Sequence, residues 1–337
     1  MNRMQRVLAA MKGDKADRKA VTLTLSLYGS KLTGCPSQTY YTNAEAYFQG
    51  QMAVVDQCDP DILFAPFVLT AEAEAFGSEV VYLDKYPPNL KKPAIHDINQ
   101  FMRLTLPDVD SHPRLLYIRE STRLLSAACQ NKIPVAGILT TPIDLPALLM
   151  GIDAWLETLL FDPENTRRIL EKTSEFFITW ANTLLDDGAN FIVLPSMFSN
   201  PRIITQKIVE TILLPFLADA LKNVKGPIVF HHGGNPIEKF LDMYSHLPNV
   251  CAFAIDTRDN LSEARRKIGP GKILLGNING PNLFRLKPHH ITHLCNKILE
   301  DRKDDHSFIL ATSSADVAYD TPLENIKAMV DAAKNFK

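Results

Sequence analysis

The sequence predicts an α/β fold, a closed (β/α)8 barrel with an N-terminal helical extension, and two observations lead to it. Short apolar segments that suit buried strands alternate with amphipathic helical segments along the 337 residues, as in parallel sheets covered by helices. Eight strand segments can be counted, which is the number that closes a TIM barrel. No linker, internal repeat or low-complexity stretch divides the chain. We therefore predict a single domain over residues 1–337.

The predicted elements start with an amino-terminal helix outside the barrel. Met4, Val7, Leu8 and Met11 form an apolar stripe with helical spacing, and Gly13 is a typical helix end. The eight strands are predicted at residues 21–25, 61–64, 135–139, 191–194, 228–230, 250–255, 273–275 and 308–311. Each is a short apolar run, and most of them continue directly into a polar loop that contains glycine or proline.

Several helices between the strands can be located from their caps. Asn43 suits the N-cap of a helix that buries apolar residues as far as Val55. Asp162 followed by Pro163 suits the start of another helix, which Gly188 ends. Further helices are predicted near 113–129, 147–160 and 260–267, and from 321 onwards. The polar, proline-containing stretch at 85–97 is predicted to be a loop.

Composition argues against several classes of partner. The formal net charge is −2 and the pI is about 6.5, so neither nucleic acid nor an anionic membrane is an expected partner. The amino terminus does not read as a signal segment, and no apolar run approaches the length of a membrane span. The five cysteines are scattered and odd in number, which is typical of a reducing compartment. We expect a cytoplasmic protein, and its oligomeric state stays open.

Two adjacent histidines at the end of the fifth predicted strand are the first candidates for chemistry. Barrel enzymes carry their reactive groups at the carboxyl ends of the strands, where His231 and His232 lie. Successive strand residues point to opposite faces, so at most one of the two is expected to face the barrel mouth. Gly233 and Gly234 follow and leave room for a ligand. The alternative is that both histidines are polar strand-end residues bonded to loop carbonyls.

Polar residues also follow other predicted strands. Asp256, after the sixth, is suited to orient a histidine, bind a metal or act as acid or base, or else to cap the next helix. Asn277, after the seventh, suits a hydrogen-bond donor to a substrate oxygen, and Asp316 follows the eighth. Glu72 either lies on a helix surface or reaches into the mouth. A metal site formed by His231, Asp256 and Asp316 is a further alternative.

The pocket walls are expected to come from the connecting loops. Tyr28, Met197 and Phe198 follow the first and fourth strands, and Asn235 follows the histidines. The histidines near position 290 begin a predicted surface helix, so we expect them to be solvated rather than metal-binding. The sequence contains no GxGxxG, P-loop or HExxH motif, which argues against dinucleotide, nucleoside triphosphate and zincin chemistry.

The order of these features resembles the uroporphyrinogen decarboxylase superfamily over nearly the whole chain. Within it, segments 6–18, 67–77, 275–277 and 321–330 resemble the cobalamin-dependent methyltransferases that act on coenzyme M. The resemblance implies a TIM barrel that transfers a methyl group between a small methylated substrate and a corrinoid carried by a partner protein. It also implies that His231 is the histidine that faces the site.

The chain departs from both branches of that superfamily. The decarboxylases carry an aspartate just after the second strand, whereas residues 64–67 here contain no acid. The coenzyme M enzymes bind zinc through one histidine and two cysteines. His231 matches that histidine, but Gly233 and Ala315 stand at the two cysteine positions. Thiolates suit a zinc ion that activates a thiol, so a thiol substrate is not expected, and whether zinc is bound at all stays open.

The sequence therefore predicts a corrinoid-dependent methyltransferase component that acts on an O-methyl compound, such as a methoxylated aromatic acid. His231 would be the proton donor or a metal ligand, Asp256 its orienting partner and Asn277 a donor to the substrate. The alternatives are a carboxy-lyase that uses the same mouth, and a barrel that only binds a ligand. The methyl donor and the direction of transfer stay open.

Overall fold

The computed structural model describes residues 1–336, in which eight parallel strands form a nearly closed barrel. The strands are β1 (Ala20–Thr22), β2 (Leu63–Phe64), β3 (Glu79–Leu83), β4 (Tyr86–Lys92), β5 (Val135–Ile138), β6 (Phe191–Pro195), β7 (Ile228–His231), β8 (Val250–Ala254), β9 (Ile273–Asn279) and β10 (Phe308–Ser313). The barrel order is β1-β10-β9-β8-β7-β6-β5-β2, and β3 pairs only with β4, in an antiparallel hairpin. The predicted barrel is confirmed.

Helices surround the barrel and cover its amino-terminal end. They are α1 (Arg3–Lys12), α2 (Tyr28–Thr33), α3 (Ser37–Tyr40), α4 (Ala44–Cys58), α5 (Ala71–Ala75), α6 (Ile98–Arg103), α7 (Pro113–Cys129), α8 (Leu145–Met150), α9 (Ile152–Phe161), α10 (Pro163–Asp186), α11 (Gln206–Ile208), α12 (Leu214–Lys222), α13 (Leu241–Tyr244), α14 (Leu261–Ile268), α15 (Pro288–Asp301) and α16 (Leu323–Asn335). No helix of residues 1–336 combines the length and apolar character needed to cross a membrane.

Asp61, just before β2, connects this strand to β1, and these two strands are the ends of the eight-stranded sheet. Its backbone N–H donates to the carbonyl of Val21 at 2.8 Å, and its carboxylate accepts the N–H of Val21 at 2.8 Å. Two buried ion pairs hold that carboxylate, with Arg6 at 2.7 Å and Arg18 at 2.6 Å. Since Arg6 lies on α1, the same network fixes the N-terminal helix beneath the barrel.

Two predictions about single elements were wrong. Residues 85–97 are not one loop, because Tyr86–Lys92 pairs with Glu79–Leu83. The prolines of this segment obscured the strand, but a two-stranded ribbon has free edges and tolerates them. The helix predicted at 147–160 is interrupted at Gly151, whose φ of 87° is left-handed and separates α8 from α9. The N-terminal helix and its end at Gly13 are confirmed.

Candidate active site

A pocket of about 450 Å³ opens at the carboxyl ends of the barrel strands. We call it the mouth pocket. It is bounded by the loops after β2, β6 and β10, by the β3–β4 hairpin and by α8. Its lining consists of Phe67, Leu69, Thr70, Leu83, Tyr86, Pro87, Pro88, Asn89, Leu148, Met197, Phe198, Ala315 and Asp316. Asp316 is the only charged residue of this lining in the described part of the chain.

The two histidines take different positions although they are neighbours. His231 ends β7 and lines the cavity inside the barrel, whereas His232 is completely buried. Their rings stack with centroids 4.4 Å apart. Burial lowers the pKa of both histidines, to about 4 for His232 and well below 6.5 for His231, and the neighbouring ring of His232 further disfavours a proton charge on His231. Both imidazoles are therefore neutral at pH 7.

Backbone contacts decide where the proton of His231 lies. The N–H of Gly233 donates to Nδ1 of His231 at 3.0 Å. A neutral imidazole carries one proton, so an accepting Nδ1 leaves that proton on Nε2. His231 thus presents an N–H donor rather than a free lone pair at Nε2.

His232 connects three of the loops at the carboxyl ends of the strands. Its Nε2 accepts the N–H of Ser314 at 3.0 Å, and its Nδ1 lies 3.3 Å from the carboxylate of Asp256 and 3.0 Å from the N–H of Gly234. A neutral ring accepts at one nitrogen only, and the carboxylate favours the proton on Nδ1. Asp256 therefore orients His232, not His231 as the sequence predicted. The role of His232 in this arrangement is to position the loops.

Asp256 is itself held by an arginine that the sequence analysis missed. Arg258 donates from Nε to the Asp256 carboxylate at 2.6 Å and from its backbone N–H at 2.9 Å, and its guanidinium also donates to the carbonyl of Gly234. Asp256 is 2 % exposed, so this ion pair compensates for the desolvation of its charge. The sequence signal for this ion pair was the position of Arg258 two residues after Asp256.

A second missed residue, Asp144, holds the loop that carries Met197 and Phe198. Its buried carboxylate accepts the backbone N–H groups of Met197 at 2.7 Å, Phe198 at 3.0 Å and Ser199 at 2.7 Å. Asn235 supports the same loop, because its side-chain amide donates to the carbonyl of Met197 at 3.2 Å. The loop is therefore preorganised, and Asn235 acts through it rather than lining the pocket.

Asp316 lies in the mouth pocket and is only partly satisfied. One carboxylate oxygen accepts the N–H of Leu27 at 3.1 Å, while the other is buried without a hydrogen-bond partner among the described residues. Burial raises the pKa of Asp316 to about 7. A carboxyl group with an unpaired oxygen and a pKa near neutrality can hold or release a proton at this pocket.

Some of the predicted site residues line the mouth pocket, and others point into the core. Met197, Phe198 and Asp316 line the mouth pocket together. Tyr28 does not, since its hydroxyl donates to the carbonyl of Thr321 in the core at 2.8 Å. Glu72 is buried and accepts the N–H of Thr140 at 3.1 Å, and its burial raises its pKa to about 7.

Asn277 also differs from its predicted role as a substrate donor. Both hydrogens of its side-chain amide are used, in bonds of 3.0 Å to the carbonyls of Asp256 and Asp259. It therefore holds the loop after β8. The three neighbouring histidines, His289, His290 and His293, are exposed on α15, as predicted.

The residues present do not fit the zinc site of the coenzyme M enzymes. Gly233 has a φ of +61°, and a Cβ built on it would lie 2.1 Å from the carbonyl oxygen of Ser196. A cysteine therefore has no space there in this loop conformation. In residues 1–336 no three His, Cys, Asp or Glu side chains are grouped closely enough to hold a metal ion. The alternative metal site of His231, Asp256 and Asp316 is therefore not formed in this structure.

The comparison with known proteins decides the family. The model of the uroporphyrinogen decarboxylase (URO-D) family matches residues 2–336. The chain belongs to this family. Among URO-D relatives, the methylcobamide:CoM methyltransferase MtbA of Methanosarcina acetivorans is 25 % identical over 277 residues, covering 81 % of this chain and 79 % of its own.

Other relatives are uroporphyrinogen decarboxylases. A uroporphyrinogen decarboxylase of Nitrosomonas europaea is 23 % identical over 288 residues, covering 81 % of this chain and 78 % of its own. A solved methyltransferase structure from Methanosarcina mazei superimposes with a TM-score of 0.88 at 20 % identity, covering 99 % of this chain and 98 % of that one. At that identity the superposition establishes the barrel fold and no more.

Proposed function

We propose that this URO-D family protein is the methyltransferase component of a corrinoid-dependent system and that its substrate is a small neutral methyl ether. The observation that carries the proposal is the N–H of His231. Because Gly233 occupies Nδ1, His231 offers Nε2–H at the end of β7, where it lines the barrel interior. Such a donor suits an oxygen that develops negative charge as its methyl group leaves.

The absence of the family thiolates argues against a thiol substrate. A thiol needs a metal or a base to form its thiolate, and zinc with cysteine ligands supplies this in the coenzyme M enzymes. Here Gly233 packs against the carbonyl of Ser196 too closely for any side chain, and Ala315 stands at the other position. A thiol must lose a proton, whereas the leaving oxygen of an ether must accept a hydrogen bond or a proton.

The charge of the mouth pocket supports a neutral substrate. Its lining includes one acid, Asp316, and no cation among the described residues. Uroporphyrinogen carries several carboxylates, and a methoxylated aromatic acid carries one, so both would be desolvated here without a partner. This narrows the sequence-based prediction to neutral methoxy compounds. It also weighs against the carboxy-lyase alternative, as does the lack of an acid at residues 64–67.

In the proposed reaction, His231 and Asp316 would both act on the leaving oxygen. The C–O bond of the ether breaks with its electron pair on oxygen, and that oxygen accepts the hydrogen bond of His231 Nε2. Asp316, whose pKa burial raises to about 7, delivers the proton that gives the alcohol or phenol. The cobalt of a corrinoid held by a partner protein would take up the methyl group.

The experiment measures methyl transfer from a panel of neutral methyl ethers to cob(I)alamin. His231→Ala is expected to lower kcat/KM by about 10²–10³-fold, the usual effect of losing one such donor. His231→Gln, which retains an N–H, is expected to recover part of that loss. His293→Ala, exposed on α15, is the matched control and should leave the rate unchanged.

Three outcomes would contradict the proposal. One is transfer by His231→Ala at the wild-type rate with an unchanged unfolding temperature. Another is the absence of transfer from every ether while a control methyltransferase methylates the same cob(I)alamin from its own methyl donor. The third is release of CO₂ from a carboxylate substrate without cobalamin, which would support the carboxy-lyase instead.

A further inference from the structure

The interior of the barrel contains an apolar cavity of about 210 Å³. We call it the barrel cavity. All eight barrel strands contribute to its lining, so it follows the barrel axis. Most of the wall is made by inward-facing aliphatic side chains, including Val193, Val229, Ala252, Ala254, Leu275 and Ala311.

Small side chains explain why this space is empty. The interior of a (β/α)8 barrel is normally filled by layers of bulky branched residues. Here Ala252 and Ala254 occupy inward positions on β8, and Ala311 occupies one on β10, which β9 separates from β8 in the barrel. Val193 and Val229 keep 8 % and 7 % exposure at the cavity wall although they lie inside the barrel.

The size and chemistry of the cavity suit an apolar group. A cavity of about 150 Å³ lined by aliphatic and aromatic side chains stays free of ordered water and binds benzene. The barrel cavity is larger, so it holds an aliphatic or aromatic group of about six to nine carbon atoms. Charged side chains are missing from its wall within residues 1–336, which excludes an ionic ligand there.

The two ends of the cavity indicate how a ligand enters. At the amino-terminal end it is bounded by the apolar stripe of α1, with Met4, Val7 and Met11. At the carboxyl end it reaches His231 and Phe67, and Phe67 also lines the mouth pocket. Phe67 therefore lies between the two spaces, and a ligand that extends from the mouth pocket into the barrel would contact it.

One polar group inside the cavity also indicates a ligand. Thr22 is 4 % exposed and lines the cavity, and its hydroxyl finds no hydrogen-bond partner among residues 1–336. A buried hydroxyl without a partner is unfavourable unless a ligand or a water molecule satisfies it.

We infer that the barrel cavity binds the apolar body of the substrate, so that the substrate is an amphipathic molecule inserted along the barrel axis. This identification of the ligand rests on the proposed function. The apolar group would occupy the space beside Ala254 and Ala311, while the methylated oxygen remains at His231. Substrates with a ring or a short chain would then be favoured over dimethyl ether or methanol.

The binding test does not depend on catalysis. Binding of toluene and of methoxybenzene to the purified wild-type protein is measured by ligand-observed NMR and calorimetry. Both are expected to bind, because the cavity recognises the ring rather than the ether oxygen. Ala254→Leu and Ala311→Leu fill the space and should weaken both ligands at least about tenfold, a loss of about 1.4 kcal/mol. Ala254→Val is the smaller change if the leucine variants do not fold.

Ala128→Leu is the matched control, because Ala128 is exposed on α7 and the change leaves the barrel untouched. Failure of toluene to bind wild-type protein, or equal binding by the filled variants, would overturn the inference. Toluene binding without methyl transfer from any ether would instead leave the cavity site intact and remove the proposed function. The two failures are therefore distinguishable.

Discussion

The two faces of the barrel sheet differ in how completely they are packed. Outward-facing residues such as Phe230, Phe253 and Leu274 have no exposed area and contact the surrounding helices. Their inward-facing neighbours include Val229 and Ala254, which are small and line an open cavity. Because successive strand residues point to opposite faces of the sheet, the two faces have different roles. The outer face holds the barrel together, and the inner face leaves room for a ligand.

The largest expected effect compares two adjacent residues of β7. Phe230 stacks on Tyr244 with ring centroids 4.5 Å apart, so Phe230→Ala should lower the free energy of unfolding by about 3–5 kcal/mol. Val229→Ala should lower it by only about 1–2 kcal/mol, because the space beyond Val229 is already empty. Denaturant unfolding of both variants measures the difference. Equal losses would mean that the inner face is as tightly packed as the outer one.

The next effect concerns Asp316, at the mouth, and its dependence on pH. Burial raises the pKa of Asp316 to about 7, against about 4 in an unfolded chain. Between these values the folded state binds more protons than the unfolded state, so the contribution of Asp316 to stability falls as pH rises from 4 to 7. Asp316→Asn removes this dependence.

Unfolding free energies at pH 5 and pH 8 measure this effect. Relative to Asp316→Asn, the wild-type protein should lose at least about 1 kcal/mol between the two pH values. Glu72 has a raised pKa as well, but it is present in both proteins and its contribution cancels in the difference. A difference that does not change with pH would indicate that the mouth is as well hydrated as the protein surface.

The smallest effect comes from adding methyl groups to each face. A Cβ at Gly137 would lie 2.9 Å from Ile192 Cδ1 on the outer face, so Gly137→Ala should lower stability by about 1–2 kcal/mol. Ala254→Val adds two methyl groups towards the cavity and should change stability by less than about 0.5 kcal/mol. Thermal unfolding of the pair provides the measurement, and a larger loss for Ala254→Val would contradict the comparison.

Much of the architecture could be read from local patterns. The eight strands follow from short apolar runs, and the N-terminal helix follows from the stripe that begins at Met4 and ends before Gly13. The hairpin at 79–92 could not be predicted in this way. Its second strand contains Pro87 and Pro88, and its partner becomes apparent only when the two segments pair.

The candidate site was predictable by position but not by role. Parallel strands bring their carboxyl ends to one edge, so Met197, Phe198 and Asp316 could be expected to meet there, and they line one pocket. The partners of Asp256 and Asn277 could not be expected. Asp256 contacts His232 rather than His231, and the Asn277 amide is used by loop carbonyls. Such contacts depend on side-chain directions in loops, for which the sequence has no periodic signal.

The order of strands and helices, the family and the lack of thiolates at Gly233 and Ala315 all follow from residue identity and spacing along the chain. The folded barrel, in contrast, determines which face of each strand points inwards and leaves a cavity beside Ala254 and Ala311. It also joined His232 to Ser314, which is 82 positions away, because closing the barrel brings together loops that are distant in the chain.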